Sequence, residues 1–545
     1  MNTPLHHSDD SEFTPVLIVG GGLVGLSASL FLSWQGIPSI LIERHPGTAI
    51  HPRAMGMSPR TMEMFRAVGI EEDIRKIEPP VPQGSNVPLV ESLMGQEFDC
   101  LQEDIDSLFS DPNSAARGSA IAQDVLEPVL RARAEQLGGD LRFRTELVAF
   151  EEDEEGITAT IRERGSESTK TVRTRFLVAA DGSKSAIRKQ LGIGQHGTAS
   201  MGHFVSMIFE ADLMKVFHER HAIMCFLSND TIAVGSFVPY PGSVARPDLF
   251  RVDVGYDPDE EKLADYPEER CLQLIRAAAG IPDLKVGLKA VLNWEMNALV
   301  ADRFQQGRVL LVGDAARTQP PSGGLGGNTG IAEAHNLAWK LAAVVRGEAG
   351  EALLATYDAE RRPVADYTAE QMALLSQQRQ EGSAGITVDI VAVNTGYRYG
   401  EGAFAREEGD EHLPLALTPK QWRGQPGTRA AHLTLEQGGK QISTLDLIGP
   451  RFVLLIGPDG RHWKEAAQEA KDVLHLSLDS YQIGGEEGDL VDVENRFCDA
   501  YGIAPGGAVL VRPDGFIGWR SQGAEVGKQE AKQALVQALS TVLFR

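Results

Sequence analysis

Gly20, Gly22 and Gly25 carry the spacing G-x-G-x-x-G, and Glu43 follows 18 residues after the last of them (43 − 25). This set is suited to holding a dinucleotide. The first glycine permits a tight turn, the second lets backbone approach a pyrophosphate, and the third lets helix and strand pack closely. A helix starting there offers free N–H groups and partial positive charge to phosphate. A carboxylate placed where Glu43 stands can accept from ribose hydroxyls. Arg53, in His51-Pro52-Arg53-Ala54, lies shortly beyond and could reach an anionic cofactor or substrate group. Two further acidic corners recur downstream. Asp181-Gly182 closes the apolar run RFLVAADG, and Asp314 follows GRVLLVG and precedes QPPSGGLGGNTG. A strand, an aspartate, a glycine-rich loop and a helix N-terminus together form a second anion-stabilising corner, separate from the first.

The elements that must position these residues follow from the pattern. Val16–Val19 is a short apolar run, as expected of a strand buried on both faces, and Leu23–Trp34 reads as a helix closed by Gly36. Ser39–Ile42 is a second strand. Residues 80–116 are acidic and proline-containing and read as an excursion from the nucleotide fold. A helix opens at Gln123, and 141–162 reads as antiparallel strands with a turn at 154–156. From 200 to 300, strand-like runs alternate with acidic loops, which predicts an antiparallel sheet roofing a substrate cavity. A long helix is expected from Ile331 and another around Tyr357–Pro363, reaching about Arg379. Beyond a Gly-, Glu- and Pro-rich stretch, Phe452–Ile456, His475–Leu478 and Ala508–Val511 read as strands. Lys464–Val473 and Lys528–Leu543 read as helices, and Arg512-Pro513-Asp514-Gly515 as a hairpin turn.

The chain has 545 residues and a net charge of −24, which opposes binding to nucleic acid or to anionic membrane surfaces. Its four cysteines form no C-x-x-C pair, which excludes a zinc ribbon and a thioredoxin-type redox pair. His218-Glu219-Arg220-His221 falls one residue short of the H-E-x-x-H zinc spacing, so no metal is expected. The first residues lack the basic and apolar regions of a signal peptide, and no apolar run spans a bilayer, so the expected location is the cytoplasm.

Taken together, G-x-G-x-x-G with Glu43, Asp181-Gly182 and Gly313-Asp314 with its glycine-rich loop make the chain resemble the class A FAD-dependent aromatic monooxygenases, the para-hydroxybenzoate hydroxylase group. It is most similar there to polyketide-tailoring hydroxylases of the aklavinone-hydroxylating type, a likeness that includes 197–213 and Arg512-Pro513-Asp514-Gly515. The resemblance implies an α/β chain with a Rossmann-like FAD-binding domain (14–195 and 301–395), an inserted antiparallel-sheet substrate domain (196–300), a linker (396–430) and a thioredoxin-like C-terminal domain without redox cysteines (431–545), after a disordered tail (1–13). It implies NADPH, with NADH possible, reducing FAD. Oxygen then passes through a flavin C4a-hydroperoxide to a phenolic or polycyclic aromatic substrate.

By the same resemblance Gly20, Gly22, Gly25, Glu43 and Arg44 bind the ADP half of FAD, and Gln123 touches the cofactor on its flavin side. Asp181 and Gly182 serve FAD and the nicotinamide cofactor, and Asp314 holds the ribityl-pyrophosphate region. Pro321, Gly324, Gly326, Gly327 and Asn328 line the isoalloxazine. Arg317 and His335 depart from the family pattern without removing a required group, and Gly327 is expected to loosen the flavin surroundings. Arg398 is the candidate cation for lowering a phenol's pKa. A monomer or homodimer is expected. The alternatives are a drug-inactivating monooxygenase for rifamycin- or tetracycline-like molecules and a non-oxygenating FAD-binding partner. A halogenase is disfavoured by the absence of W-x-W-x-I-P.

Overall fold

Three separated motifs reach one edge of one sheet because their strands are neighbours. The computed structural model describes residues 12–545 apart from 51–53, 82–83, 103–108, 241–247, 382–387, 486–487 and 524–526. In chain order the site-bearing elements are β1 (Glu12–Val19), α1 (Leu23–Trp34), β2 (Ser39–Glu43), α2 (Pro59–Ala67), α3 (Gln123–Gln136), β3 (Thr169–Ala179), β4 (Gln195–Glu210), β5 (Gly287–Ala301), β6 (Val309–Leu311), α4 (Leu325–Val345) and α5 (Ala355–Glu381). The order across the sheet is β6, β3, β1, β2 and then Asp140–Phe143, all parallel. Val16, Leu17, Ile18, Leu177 and Val178 are fully buried, as strands covered by helices on both faces require. The hairpin Thr145–Glu152/Ile157–Glu163 extends β3 in antiparallel fashion. Helix α1 lies along α4.

Among the described residues the second sheet has eight strands. Its spine is the antiparallel pair β4 and β5, flanked by Leu249–Tyr256, Gly235–Pro239 and Cys225–Leu227. One face buries Val205, Met207, Phe209, Phe237, Phe250 and Val252 against Leu274, Ile275 and Ala278 of the helix Glu268–Ala279. Alternation sends the intervening residues to the other face.

Four readings of the sequence differ from the structure. Glu12 and Phe13 belong to β1, paired with Val172 and Arg173, while residues 1–11 lie outside the described residues. The excursion after residue 80 places Val87–Val90 and Glu97–Gln102 in the second sheet, where Leu89 and Val90 pair with Phe226 and Leu227. Within the expected linker 396–430, Tyr397, Tyr399 and Phe404 are buried against Val364 of α5 and Phe516. The long helix also starts at Leu325 rather than Ile331.

The C-terminal unit is a βαβ segment, Phe452–Ile456, His462–Leu474 and Leu478–Gln482, then the hairpin Ala508–Val511/Ile517–Ser521 and the helix Lys528–Leu543. Its strand order puts Leu478–Gln482 at one edge and Ile517–Ser521 at the other. No helix among the described residues is long and apolar enough to cross a membrane.

Candidate cofactor and active site

Along the carboxyl edge of the first sheet the order is Glu43, the Gly20–Gly25 turn, Asp181-Gly182 and Gly313-Asp314, following the order β2, β1, β3, β6. Ligands of open parallel sheets bind at this edge. Gly20 has φ +111°, and a Cβ there would lie 2.2 Å from the Ala180 carbonyl oxygen. A Cβ on Gly25 would lie 1.9 Å from the Gly20 oxygen. Both contacts are backbone on backbone, so neither can yield. Gly22 is different: its Cβ direction meets nothing nearer than Glu127 Oε1 at 3.9 Å, leaving room for a phosphate. Glu43 accepts from the Gly21 N–H at 2.6 Å and the His45 N–H at 2.7 Å, which fixes its carboxylate beside the turn. Arg44 is exposed next to it.

Two long helices begin at this edge without a side-chain cap and without an acidic residue in the first turn: α1 after Gly22 and α4 after Gly324. Their first N–H groups and dipoles are therefore available to anionic or partly negative cofactor atoms. The two corners interlock. A Cβ on Gly330 would come within 2.5 Å of a Val24 methyl, and one on Gly313 within 2.9 Å of the same methyl. Gly327 is likewise filled rather than loosened, since its Cβ would meet Leu23 Cδ2 at 2.9 Å.

The acidic corner is held from behind by a pair that no spacing rule announced. Glu333, fully buried, accepts from the Gly313 N–H at 2.7 Å and from Arg317 Nε at 2.7 Å. Arg317, also fully buried, donates to Gln319 Oε1 at 2.9 Å and to the Gly326 carbonyl at 2.8 Å. Arg317 thus ties the aspartate turn to the glycine-rich loop. Asn328 closes the other side: its Oδ1 accepts from Ser58 N and Thr61 Oγ1, and its Nδ2 donates to the Gly56 and Gly324 carbonyls. Pro321 and Gly324 are exposed at the loop surface and Gly326 is half-buried. Asp314 is exposed at the turn. His335 packs edge-on to Phe31 at 4.7 Å, and burial drives its pKa down to about 3, so it stays neutral.

Asp181 accepts from the Ile187 N–H at 3.2 Å through Oδ2, while its Oδ1 is buried without a partner. Gly182 is half-buried beside it. Gln123, first residue of α3, accepts from Ala54 N and donates to Glu127 Oε1 at 2.7 Å. Glu127 is fully buried and accepts from Ala49 N at 2.6 Å. It was missed in the sequence, although Gln123 and Glu127 stand one helical turn apart. Arg53 lies outside the described residues.

Arg398 does not supply a cation to this edge. Its side chain is buried and donates to the carbonyls of Asp410, Leu413 and Pro414. The arginine thereby staples the loop 410–414. No cluster able to hold a metal ion occurs among the described residues.

The second sheet's other face carries a buried polar and aromatic set that sequence reasoning did not single out. Asp253 accepts from Ser206 Oγ, Ser236 Oγ and Arg251 Nε, and Trp294 Nε1 donates to Ser206 Oγ at 2.9 Å. Phe204 stacks on Trp294 at 4.6 Å. On the same face Ile208, Tyr240 and Leu249 contact Met55, which precedes α2 of the first unit. The face therefore looks toward the cofactor edge. Alternation along β4 was the available signal, with Phe204, Ser206 and Ile208 opposite Val205, Met207 and Phe209.

Comparison with known proteins agrees with this geometry. Residues 13–372 match the FAD binding domain family, and residues 423–544 match the family described as aromatic-ring hydroxylase, C-terminal. The chain is 41% identical to a 4-methyl-5-nitrocatechol 5-monooxygenase of Burkholderia sp, covering 100% of both chains. It is 39% identical to the tetracenomycin A2 monooxygenase-dioxygenase of Streptomyces glaucescens, covering 98% of each. The structure of aklavinone-11 hydroxylase with FAD and aklavinone superposes with a TM-score of 0.90 at 35% identity, covering 99% of this chain and 100% of the other. The chain belongs to the FAD-dependent aromatic-ring hydroxylases and is a flavin monooxygenase.

Proposed function

We propose that this monooxygenase hydroxylates a phenolic or polycyclic aromatic compound of polyketide type, with NADPH (or NADH) as reductant. The observation that carries the reading is the facing of two surfaces. The carboxyl edge fits FAD, with Gly22 open toward phosphate and Asp181 Oδ1 an unpartnered buried acceptor. Opposite it stands a sheet face bearing Phe204, Trp294 and Tyr240 around a hydrogen-bonded Asp253 and Arg251.

Gly20, Gly22, Gly25 and the start of α1 would hold the pyrophosphate, Glu43 and Arg44 the adenosine end, and Gln123 with Asp314 the middle of the cofactor. Gly182 would leave backbone room beside Asp181. Pro321, Gly324, Gly326, Gly327 and Asn328 would shape the flavin seat. When bound, FAD supplies the reduction by nicotinamide and the activation of O₂. The chain's own work is placement and dryness. The uncapped N-terminus of α4 stabilises negative charge at the flavin seat. The aromatic face orients a planar ring and excludes water, which protects the reaction from unproductive loss of peroxide. Asp253 and Arg251 can hold hydroxyl or keto groups on the ring's edge. With Arg398 withdrawn, the substrate's own acidity and these edge contacts carry its activation. We also read the C-terminal unit as thioredoxin-like, supported by its βαβ and hairpin-helix order, and as lacking a redox pair.

The test is anaerobic reduction of the purified flavoprotein by NADPH with and without a tetracyclic polyphenol, followed by mixing with O₂. Faster reduction with ligand and a product heavier by one oxygen atom support the reading. Equal reduction rates and stoichiometric hydrogen peroxide with every aromatic tried overturn it.

A further inference from the structure

Arg361 on α5 is fully buried, and the carboxylate that attracts it, Glu333, is bonded to Arg317 instead. Its Nη1 donates to the hydroxyls of Tyr397 at 2.9 Å and Tyr399 at 3.2 Å, but Nε and Nη2 have no partner. Arg60 of α2, 8% exposed, leaves its Nε unpartnered as well, while its two terminal nitrogens are engaged by Glu63 and the Asp514 carbonyl. Both guanidinium groups line one small cavity of about 10 Å³, together with Asn328, Thr329, Thr368 and Tyr397. Two buried cations with three unpartnered donor atoms between them therefore line one void.

Burying a charge without a counterion is costly, and so is leaving its N–H groups unmet. The neighbouring carboxylates are shared: Glu333 attracts Arg361 but is already bonded to Arg317. Arg317 is balanced by Glu333, while Glu360 and Asp514 are balanced by Lys340 and Arg512. Glu63 already faces both Arg60 and Arg429. Six buried cations, Arg361 included, thus face four carboxylates, and positive charge is in surplus here.

We propose that this cavity binds one small inorganic anion of the halide class, chloride under ordinary conditions, held between Arg361 and Arg60. The size excludes larger anions: a void of this order holds about one water-sized body, not a sulfate or phosphate. A water fits the space but brings no charge and accepts only two donors, whereas a halide accepts from all the unmet N–H groups at once. The ion would bridge α2, the first turn of α4 and α5 beside Asn328, the residue that closes the flavin loop. It couples anion occupancy to the stability of that corner. The inference does not depend on which substrate the enzyme uses.

The test uses the holoenzyme exchanged into gluconate buffer and titrated with chloride at constant ionic strength. The expected result is a saturable rise of several degrees in melting temperature with chloride, absent with sulfate, and lost in Arg361→Met. A monotonic rise in which sulfate exceeds chloride is a general salt effect and overturns the proposal. Crystals grown in bromide should show an anomalous scattering peak in the cavity. A peak that scatters as water, with no anomalous signal in chloride or bromide, also overturns it. If Arg361→Met fails to fold, Arg361→Lys keeps the charge but loses the fork, and its half-saturating chloride concentration should rise at least tenfold. An unchanged value refutes the role of the guanidinium.

Discussion

Replacing Glu333 by Gln tests whether the acidic corner is held by charge or merely by shape. Glutamine keeps the length and one acceptor oxygen, so the Gly313 N–H or Arg317 can still be met, but not both by a charged group. What changes is that Arg317, fully buried, loses its counterion. Breaking a buried pair from one side costs about 3–5 kcal/mol, because an uncompensated charge remains inside. At roughly 2 °C or more per kcal/mol for large domains, the unfolding transition of the cofactor-binding unit should drop by on the order of 10 °C. The assay is thermal unfolding followed by flavin fluorescence, which reports this unit alone in a multidomain chain. The double variant Arg317→Met/Glu333→Met should lose less than Glu333→Gln alone, since it removes both charges. It still forfeits the bonds to Gln319 and Gly326, so about 1–2 kcal/mol of loss should remain. A Glu333→Gln shift below about 1 kcal/mol, or a double variant no better than the single, refutes the argument that the pair acts through charge. FAD retention on dilution should fall in step with stability, because Gly313 and Gly326 are both anchored to this pair.

Gly25→Ala should yield protein free of flavin, because the new methyl meets the Gly20 carbonyl at 1.9 Å and both atoms are backbone; normal visible flavin absorbance per protein would contradict this. Gly327→Ala should retain most of its FAD with a modest loss of stability, since the 2.9 Å neighbour is the far end of the Leu23 side chain, which can turn. Arg398→Met should lower stability by about 1–3 kcal/mol through the stranded carbonyls of 410–414, yet leave the pH profile of turnover unchanged; a displaced profile would restore a catalytic role. His335 makes stability fall with acidity: buried, it binds its proton only near pH 3, whereas the unfolded chain binds it near the ordinary 6.5. The unfolded state therefore holds the extra proton between those values, and the contribution present above pH 6.5 is lost progressively below it. Melting temperatures of His335→Asn between pH 7 and 5 should fall less steeply than those of the unaltered protein; parallel curves would remove His335 from the account.

The part of the site legible in the sequence was the part built locally. Gly20 to Glu43 is contiguous, and each residue's task follows from its neighbours: strand, turn, helix, strand, carboxylate. The two aspartate corners were legible because each ends an apolar run, and parallel strands bring such ends to one edge. Pairings between distant residues left no such trace. Val87–Val90 joins the second sheet by pairing with Cys225–Leu227, more than a hundred residues on, and nothing in its own composition selects that partner. Arg398 stood in a Gly-, Glu- and Pro-rich stretch that looked solvated; the overlooked signal was the aromatic company of Tyr397, Tyr399 and Phe404, which needs a core. Arg512-Pro513-Asp514-Gly515 was read correctly as a turn, but its charges gave no hint of their burial, because their partners Glu360, Asn336 and Lys340 lie on two other elements.

That turn joins the C-terminal unit to the two long helices of the cofactor-binding unit. Arg512 grips both Glu360 oxygens at 2.7 and 2.9 Å and folds back on Asp514. Asn336 of α4 donates to Glu360 at 2.7 Å and to Asp514 at 2.8 Å, and Lys340, one turn further, donates to Glu360 at 2.8 Å. The middle of α4 is thereby fixed to α5 and to the C-terminal hairpin by charges that are all buried. The N-terminal half of the same helix is fixed by Asn328, in its first turn, to residues 56–61 and by Glu333, in its third, to the aspartate corner. A helix held at both places cannot slide along its axis without stranding buried charge, at a cost of several kcal/mol. The C-terminal unit thus bears on α4, the helix whose N-terminus faces the glycine-rich loop, by fixing its middle in place.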